Sequence, residues 1–289
     1  MENISLRYRV EYAALRSVFW IFERLGQKKA STFGGWLARK IGTRLSVHQL
    51  AYDNMKQALP NLSETERQVA LVKMWDNLGR NIAEIPYLQS LLDNPEAVEI
   101  VGAEFMDAQV ASGKSAFFVT AHYGPWELVQ VVGKHIKNHS VVLYRAANNP
   151  LVEAYFQAMR LDPDNQFYSK GREGAKAMLR AVRDGRAIGL LNDQKLNGGI
   201  AVPFFGRDAM TAPAIAEIAR KMEIPIYPMK VERLENGHFR ATVSPALELS
   251  KTDDRDADIY EILKQINEVY EDWITERPDH WFWVHNRWP

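Results

Sequence analysis

Cysteine is absent from the 289 residues. Disulfide frameworks, thiolate zinc sites and cysteine nucleophiles are excluded on that ground. Net charge is missing too, because 36 Lys and Arg balance 36 Asp and Glu. A dedicated nucleic-acid binder would be basic overall. Long apolar runs are also lacking: the N-terminal stretch Val18-Phe19-Trp20-Ile21-Phe22 is far shorter than the roughly 20 residues that cross a bilayer. Charged residues interrupt any possible h-region, so no signal peptide is expected and the chain is expected to stay in the cytoplasm. No Gly-x-Gly-x-x-Gly follows an apolar run, and Gly113-Lys114-Ser115 has Ala108 where a P-loop needs glycine. His280 and His285 do not form His-Glu-x-x-His, and no metal site or cofactor is expected.

What the chain does have is length, a 46% apolar content and an uneven distribution of charge. A core of good size can form without covalent staples. Residues 1–50 hold nine cations against three acids, which leaves the remainder acidic by the same margin. A basic end on a neutral protein suggests an anionic partner there, and a membrane surface is the obvious one. Ile4, Tyr8, Tyr12, Leu15, Phe19 and Phe22 recur at spacings of 4, 4, 3, 4 and 3, a single helical stripe with Arg9, Arg16 and Arg24 opposite. Pattern alone leaves this stripe two destinations, the protein core or a membrane interface.

Residues 1–95 read as mostly helical, with helices near 31–42 and 46–58 and a long one capped by Ser63 and Glu66 in a capping box. From residue 96 short apolar runs (116–120, 141–144, 187–191, 224–227) alternate with helical patterns (125–138, 149–160, 172–184, 211–222). Such alternation is the mark of an α/β domain with a mostly parallel central sheet flanked by helices. A hairpin over 226–234 and 238–248, turning at Asn236-Gly237, and a final acidic helix near 254–276 complete the reading.

Sites in such sheets lie beyond the carboxyl ends of the strands. The run at 116–120 is followed by Ala121-His122-Tyr123-Gly124-Pro125-Trp126-Glu127. With Pro125 opening a helix, His122 falls in the turn and Glu127 in the first helical turn, where its carboxylate could reach the imidazole. A neutral histidine held by a carboxylate is a competent general base near neutral pH. The same pairing is also common as a purely structural contact.

Four segments resemble the late (secondary) acyltransferases of lipid A biosynthesis, within the lysophospholipid acyltransferase superfamily. They are TAHYGPWE at 120–127, LYRAANNPLVE at 143–153, LLNDQKLNGGIAVPFFGRDAMTAPAIAEIA at 190–219 and WFWVHNRW at 281–288. The third departs from the family pattern at Asn192, where proline is expected. The resemblance implies a glycerol-phosphate acyltransferase-like fold and transfer of a fatty acyl chain from acyl carrier protein to a hydroxyl of a lipid A precursor. It also implies a peripheral position on the cytoplasmic face of the bacterial inner membrane. The same motifs would serve an acyl-CoA-dependent enzyme acting on a lysophospholipid or phosphoglycolipid, or a catalytically silent membrane-surface adaptor.

Acyl transfer to an alcohol needs a base, a donor to the developing oxyanion and exclusion of water. His122 is expected to take the proton and Glu127 to orient it. With no cysteine and no Gly-x-Ser-x-Gly elbow, direct attack is the simpler course. Phosphates on the acceptor and donor call for fixed cations, for which Arg145, Arg172, Lys195, Arg207 and Arg287 stand on loops or in the family segments. Arg145 and the amides opening the 125–138 helix are candidate oxyanion donors. Asp193 and Gln194 are read as turn-forming or supporting residues of the substrate site. Phe204, Phe205 and Met210 are candidates for an acyl pocket. The stripe residues Tyr8, Tyr12, Leu15, Phe19 and Phe22 are expected to dock the helix on the membrane. Trp281, Phe282, Trp283 and Trp288 suit either docking of the lipid-facing helices or a place at the interface between lipid and water. As a nucleic-acid platform they would lack a basic groove, since residues 251–279 carry ten acids and four bases.

Overall fold

The computed structural model describes residues 4–94, 96–136, 140–160 and 165–288. Four helices open the chain: α1 (Leu6–Leu25), α2 (Gln27–Gly42), α3 (Val47–Ala58) and α4 (Glu64–Glu84). Ser63 and Glu66 form the expected capping box at the start of α4. A short α5 (Leu88–Asp93) leads into strand β1 (Val98–Val101) and helix α6 (Ala103–Ser112). The α/β alternation then runs through β2 (Ala116–Thr120), α7 (Val131–Ile136), β3 (Ser140–Tyr144), α8 (Pro150–Met159), β4 (Asn165–Ser169), α9 (Arg172–Arg183) and β5 (Ala187–Leu191). A separate hairpin, β6 (Ile200–Phe204) and β7 (Arg207–Thr211), precedes α10 (Ala214–Met222). The chain closes with β8 (Ile226–Arg233), β9 (Phe239–Val243) and α11 (Arg255–Glu276).

Seven strands form one sheet in the order β1-β9-β8-β2-β5-β3-β4, and every pair is parallel except β8 with β9. The chain is therefore α/β with a mostly parallel sheet flanked by helices. The β8–β9 hairpin turns where expected, because Asn236 (φ 59°) and Gly237 (φ 78°) both accept the left-handed conformation. Strand β2 is buried along its whole length, as a central parallel strand covered on both faces must be.

The structure departs from the sequence reading in several places beyond the added strands β1, β4, β6 and β7. The helix expected over 125–138 is a 3-10 turn over Trp126–Gln130 followed by α7, and residues 137 and 138 lie outside the described residues. The second helix begins at Gln27, four residues before its expected start.

Another difference concerns α1. Its stripe turns toward the protein: Phe19 (1% exposed) and Phe22 (3%) are core residues, packed with Leu15, Ile85, Tyr155 and Phe156. Tyr12 meets the ring of Tyr155 edge-on, and the Tyr8 carbonyl accepts a hydrogen bond from Asn149. The sides of α8 and α1 are apolar and face each other, so the stripe is consumed by packing and not free to enter a bilayer. No described helix is long and apolar enough to cross a membrane.

Candidate active site

Strands β2 and β5 are parallel neighbours in register, with Thr120 opposite Leu191. Both strands leave the sheet at the same edge, and two residues further on stand the candidate site residues His122 and Asp193. The Nδ1 of His122 lies 2.8 Å from Asp193 Oδ1. The other carboxylate oxygen accepts the His122 main-chain N–H at 2.9 Å and the indole N–H of Trp281 at 2.9 Å. Burial opposes ionisation of Asp193, but the His122 ring and these hydrogen bonds outweigh it and hold the carboxyl below its ordinary range. An ionised carboxylate only accepts, so the proton sits on Nδ1 and the Nε2 lone pair is left for chemistry. The Gln194 amide lies 3.3 Å from that Nε2.

The loop bearing His122 is clamped from three sides. Gly124 has φ +54°, and a Cβ there would stand 2.2 Å from the Val231 carbonyl oxygen, so only glycine fits. Its N–H donates to the His280 carbonyl, and its own carbonyl accepts from Asn81 of α4. Phe282 N–H donates to the His122 carbonyl at 3.0 Å. Asn54 of α3 donates to the carbonyls of Trp283 and His285. The N-terminal helices and the aromatic C-terminal segment thus brace the turn that bears His122.

Glu127 does not orient His122. The positive φ of Gly124 and the 3-10 turn after Pro125 carry Trp126 against the imidazole, with ring centroids 5.3 Å apart, and send Glu127 elsewhere. Its carboxylate meets Arg160 at 3.4 Å. Arg160 in turn lies over the ring of Tyr144, 4.6 Å from its centroid.

His285 stands edge-on to His122 with centroids 4.9 Å apart. Burial pushes its pKa down to about 4, against the pull of Asp193. His122, Asp193 and His285 are also a group of metal-ligating type, their donor atoms within 4.8 Å of one another. Asp193 already accepts three hydrogen bonds from the chain itself, which suits a charge that steadies an imidazole.

The candidate cations separate into two sets. Arg145, beyond β3, is exposed and donates to Asn148 at 3.2 Å. Arg172 begins α9 just beyond β4 and is exposed, while Lys195 is half-buried beside Gln194. These stand along the carboxyl edge, where sequence reasoning missed Lys170, whose ammonium donates to the Leu191 carbonyl at 3.4 Å.

Arg287 is corrected: it is fully buried and binds the Met210 carbonyl and the Thr211 hydroxyl, at 2.9 and 2.8 Å. It fastens the C-terminal segment to the β6–β7 hairpin and has no surface left for a phosphate. Arg207 lies over the Trp288 ring. Phe204 is likewise core, fully buried between Trp281 and Trp288, and does not line an open acyl pocket. Phe205 packs on Trp283, and Met210 lies on the same hairpin.

Comparison with known proteins agrees with this architecture. The family model for bacterial lipid A biosynthesis acyltransferases matches residues 3–289. A lipid A biosynthesis lauroyltransferase of Escherichia coli (strain K12) is 23% identical over 245 residues, covering 83% of this chain and 78% of that protein. A lipid A biosynthesis myristoyltransferase of the same strain is 22% identical over 262 residues, 86% of this chain and 77% of that protein. A lipid A biosynthesis acyltransferase of Shigella flexneri is 21% identical over 262 residues, again 86% and 77%. With a matched model along nearly its whole length and a histidine–carboxylate pair at the carboxyl edge of the sheet, the chain belongs to the bacterial lipid A biosynthesis acyltransferase family and is an acyltransferase.

Proposed function

We propose that the chain transfers a fatty acyl group from acyl carrier protein directly to a hydroxyl of a lipid A precursor, with His122 as general base and Asp193 as the carboxylate that orients it. The observation carrying this reading is the 2.8 Å contact between His122 Nδ1 and Asp193. It fixes the tautomer whose Nε2 takes a proton, and the buried charge stabilises the imidazolium that forms. The hydroxyl oxygen attacks the thioester carbonyl as its proton passes to Nε2. Collapse of the tetrahedral intermediate expels the carrier thiolate, which recovers that proton. Arg145, Lys170, Arg172 and Lys195 supply positive charge for phosphate along the same edge. Glu127 and Arg160 act as a pair that shapes the wall beside Trp126.

The acceptor is a lipid, so the enzyme works at a bilayer, and the reading places it peripherally on the cytoplasmic face of the inner membrane. The face suited to this is the outer side of α1 and α2. Trp20 (55% exposed), Ile21, Phe33 and Trp36 (46%) project there beside Arg24, Lys28, Lys29 and Arg39. Interfacial tryptophan with a basic rim is the composition that anionic lipid favours.

Acyl transfer from acyl carrier protein to a lipid A precursor, followed by mass spectrometry, tests the reading. Wild type should add one acyl chain and His122→Ala none; transfer by the variant at the wild-type rate would overturn it.

A further inference from the structure

The carboxyl edge that holds His122 also launches α9, which leaves it directly after β4. This helix is sharply two-sided. Ala177, Met178, Ala181 and Val182 are buried against the core, while Arg172, Lys176, Leu179, Arg180 and Arg183 are exposed at spacings of 4, 3, 1 and 3. Four cations face one acid, Glu173, over the helix. Lys176 pairs with Glu173 and Arg183 with Asp184, and among the described residues Arg172 and Arg180 make no ion pair. Leu179, 53% exposed, stands in the middle of the charges.

We propose that this outer face of α9 is the docking surface for the acyl carrier protein, an acidic soluble partner, and so deepens the donor assignment on which it rests. Three observations select that occupant. The face is cationic along its whole run, which matches an acidic protein by charge. Its one large apolar residue, Leu179, one turn beyond the exposed Ala175, suits the small apolar centre of a transient interface. It carries no aromatic ring, unlike the Trp20, Phe33 and Trp36 face of α1 and α2, so a bilayer is the poorer match.

Position completes the case. Helix α9 starts at Arg172, beside Lys170 at the edge of the site, and its 12 residues extend about 18 Å away from it at 1.5 Å per residue. A carrier bound along this run presents its acyl thioester at the near end and leaves the site open to the lipid.

The test is steady-state kinetics with acyl carrier protein donor at low and physiological salt, comparing wild type with Lys176→Glu/Arg180→Glu. Lys176→Gln/Arg180→Gln serves in case the added acids weaken the helix, and circular dichroism checks folding. The expected result is a rise of tenfold or more in KM for the carrier with kcat unchanged. Salt should raise the wild-type KM and leave that of the charge-reversed variant nearly flat. Binding to anionic vesicles should be the same for all three proteins. An unchanged KM in variants that fold, while wild type uses the carrier, overturns the docking surface alone. Loss of vesicle binding in place of a KM effect assigns the face to membrane and also overturns it. Wild type that accepts only acyl-CoA, with His122→Ala inactive, overturns the donor reading together with this surface.

Discussion

Asp193 Oδ1 and His122 Nδ1 come within 2.8 Å of each other across 71 residues of sequence because β2 and β5 are adjacent in the sheet. The pairing is a property of strand order and not of the motif that contains His122. Trp281, from a third segment, holds the second carboxylate oxygen, so three distant parts of the chain meet at one carboxylate.

His122→Ala is expected to lower kcat by about 10²–10⁴-fold, the usual contribution of a general base. Asp193→Asn should lose a similar amount, since it acts through the same imidazole, and the double variant should be little worse than the poorer single one. Turnover of single and double variants under saturating donor and acceptor checks this; additive losses would mean that the two act independently.

Arg287→Ala should affect folding and not substrate affinity. It removes a buried donor from the Met210 carbonyl and the Thr211 hydroxyl, and stranding buried acceptors costs about 1–3 kcal/mol before the lost packing on Phe204 is counted. Denaturant melts should show that loss, while KM for acceptor in the folded fraction stays within about twofold. A large KM rise with normal stability would return Arg287 to the phosphate site.

Two buried histidines make stability depend on pH. Burial lowers the pKa of both His280 and His285 to about 4, from an ordinary value near 6.5. Between those values the unfolded chain binds more protons than the folded one. Their contribution is therefore complete above about pH 6.5 and is lost as pH falls toward 4. Melting temperature should drop across that window, and His280→Gln/His285→Gln should flatten the drop.

On α1 and α2, Phe19→Ala is expected to destabilise the fold by about 3–5 kcal/mol. Trp20→Ala/Trp36→Ala should leave stability within about 1 kcal/mol and release the protein from anionic vesicles. Sedimentation with such vesicles separates the two variants. A stable Phe19→Ala protein that no longer sediments would put the buried stripe in the membrane after all.

The alternation of strand and helix was legible because β2, β3 and β5 are uninterrupted apolar runs. Strands β1 (Val-Glu-Ile-Val) and β4 (Asn-Gln-Phe-Tyr-Ser) escaped notice because four or five residues with polar members carry too weak a period. His122 was legible as a polar residue in the turn that follows a buried strand. Its partner was not, since Glu127 is near in sequence and Asp193 is near only once strand order is known. The α1 stripe was seen as a stripe, but periodicity says only that a face is apolar and not what covers it. Here Tyr155 and Phe156 cover it. Arg287 was misread because an arginine near the chain's end resembles a solvated charge, and only the fold shows the hairpin carbonyl it serves.

The kcat/KM of Asp193→Asn set beside that of Glu127→Gln tests the catalytic assignment most directly. The Asp193 carboxylate holds the His122 ring, so its replacement by a neutral amide should lower kcat/KM by about 10²–10⁴-fold. Glu127→Gln should stay within about tenfold of wild type, because that carboxylate meets Arg160. A collapse of kcat/KM in Glu127→Gln with Asp193→Asn near wild type would contradict the pairing of His122 with Asp193.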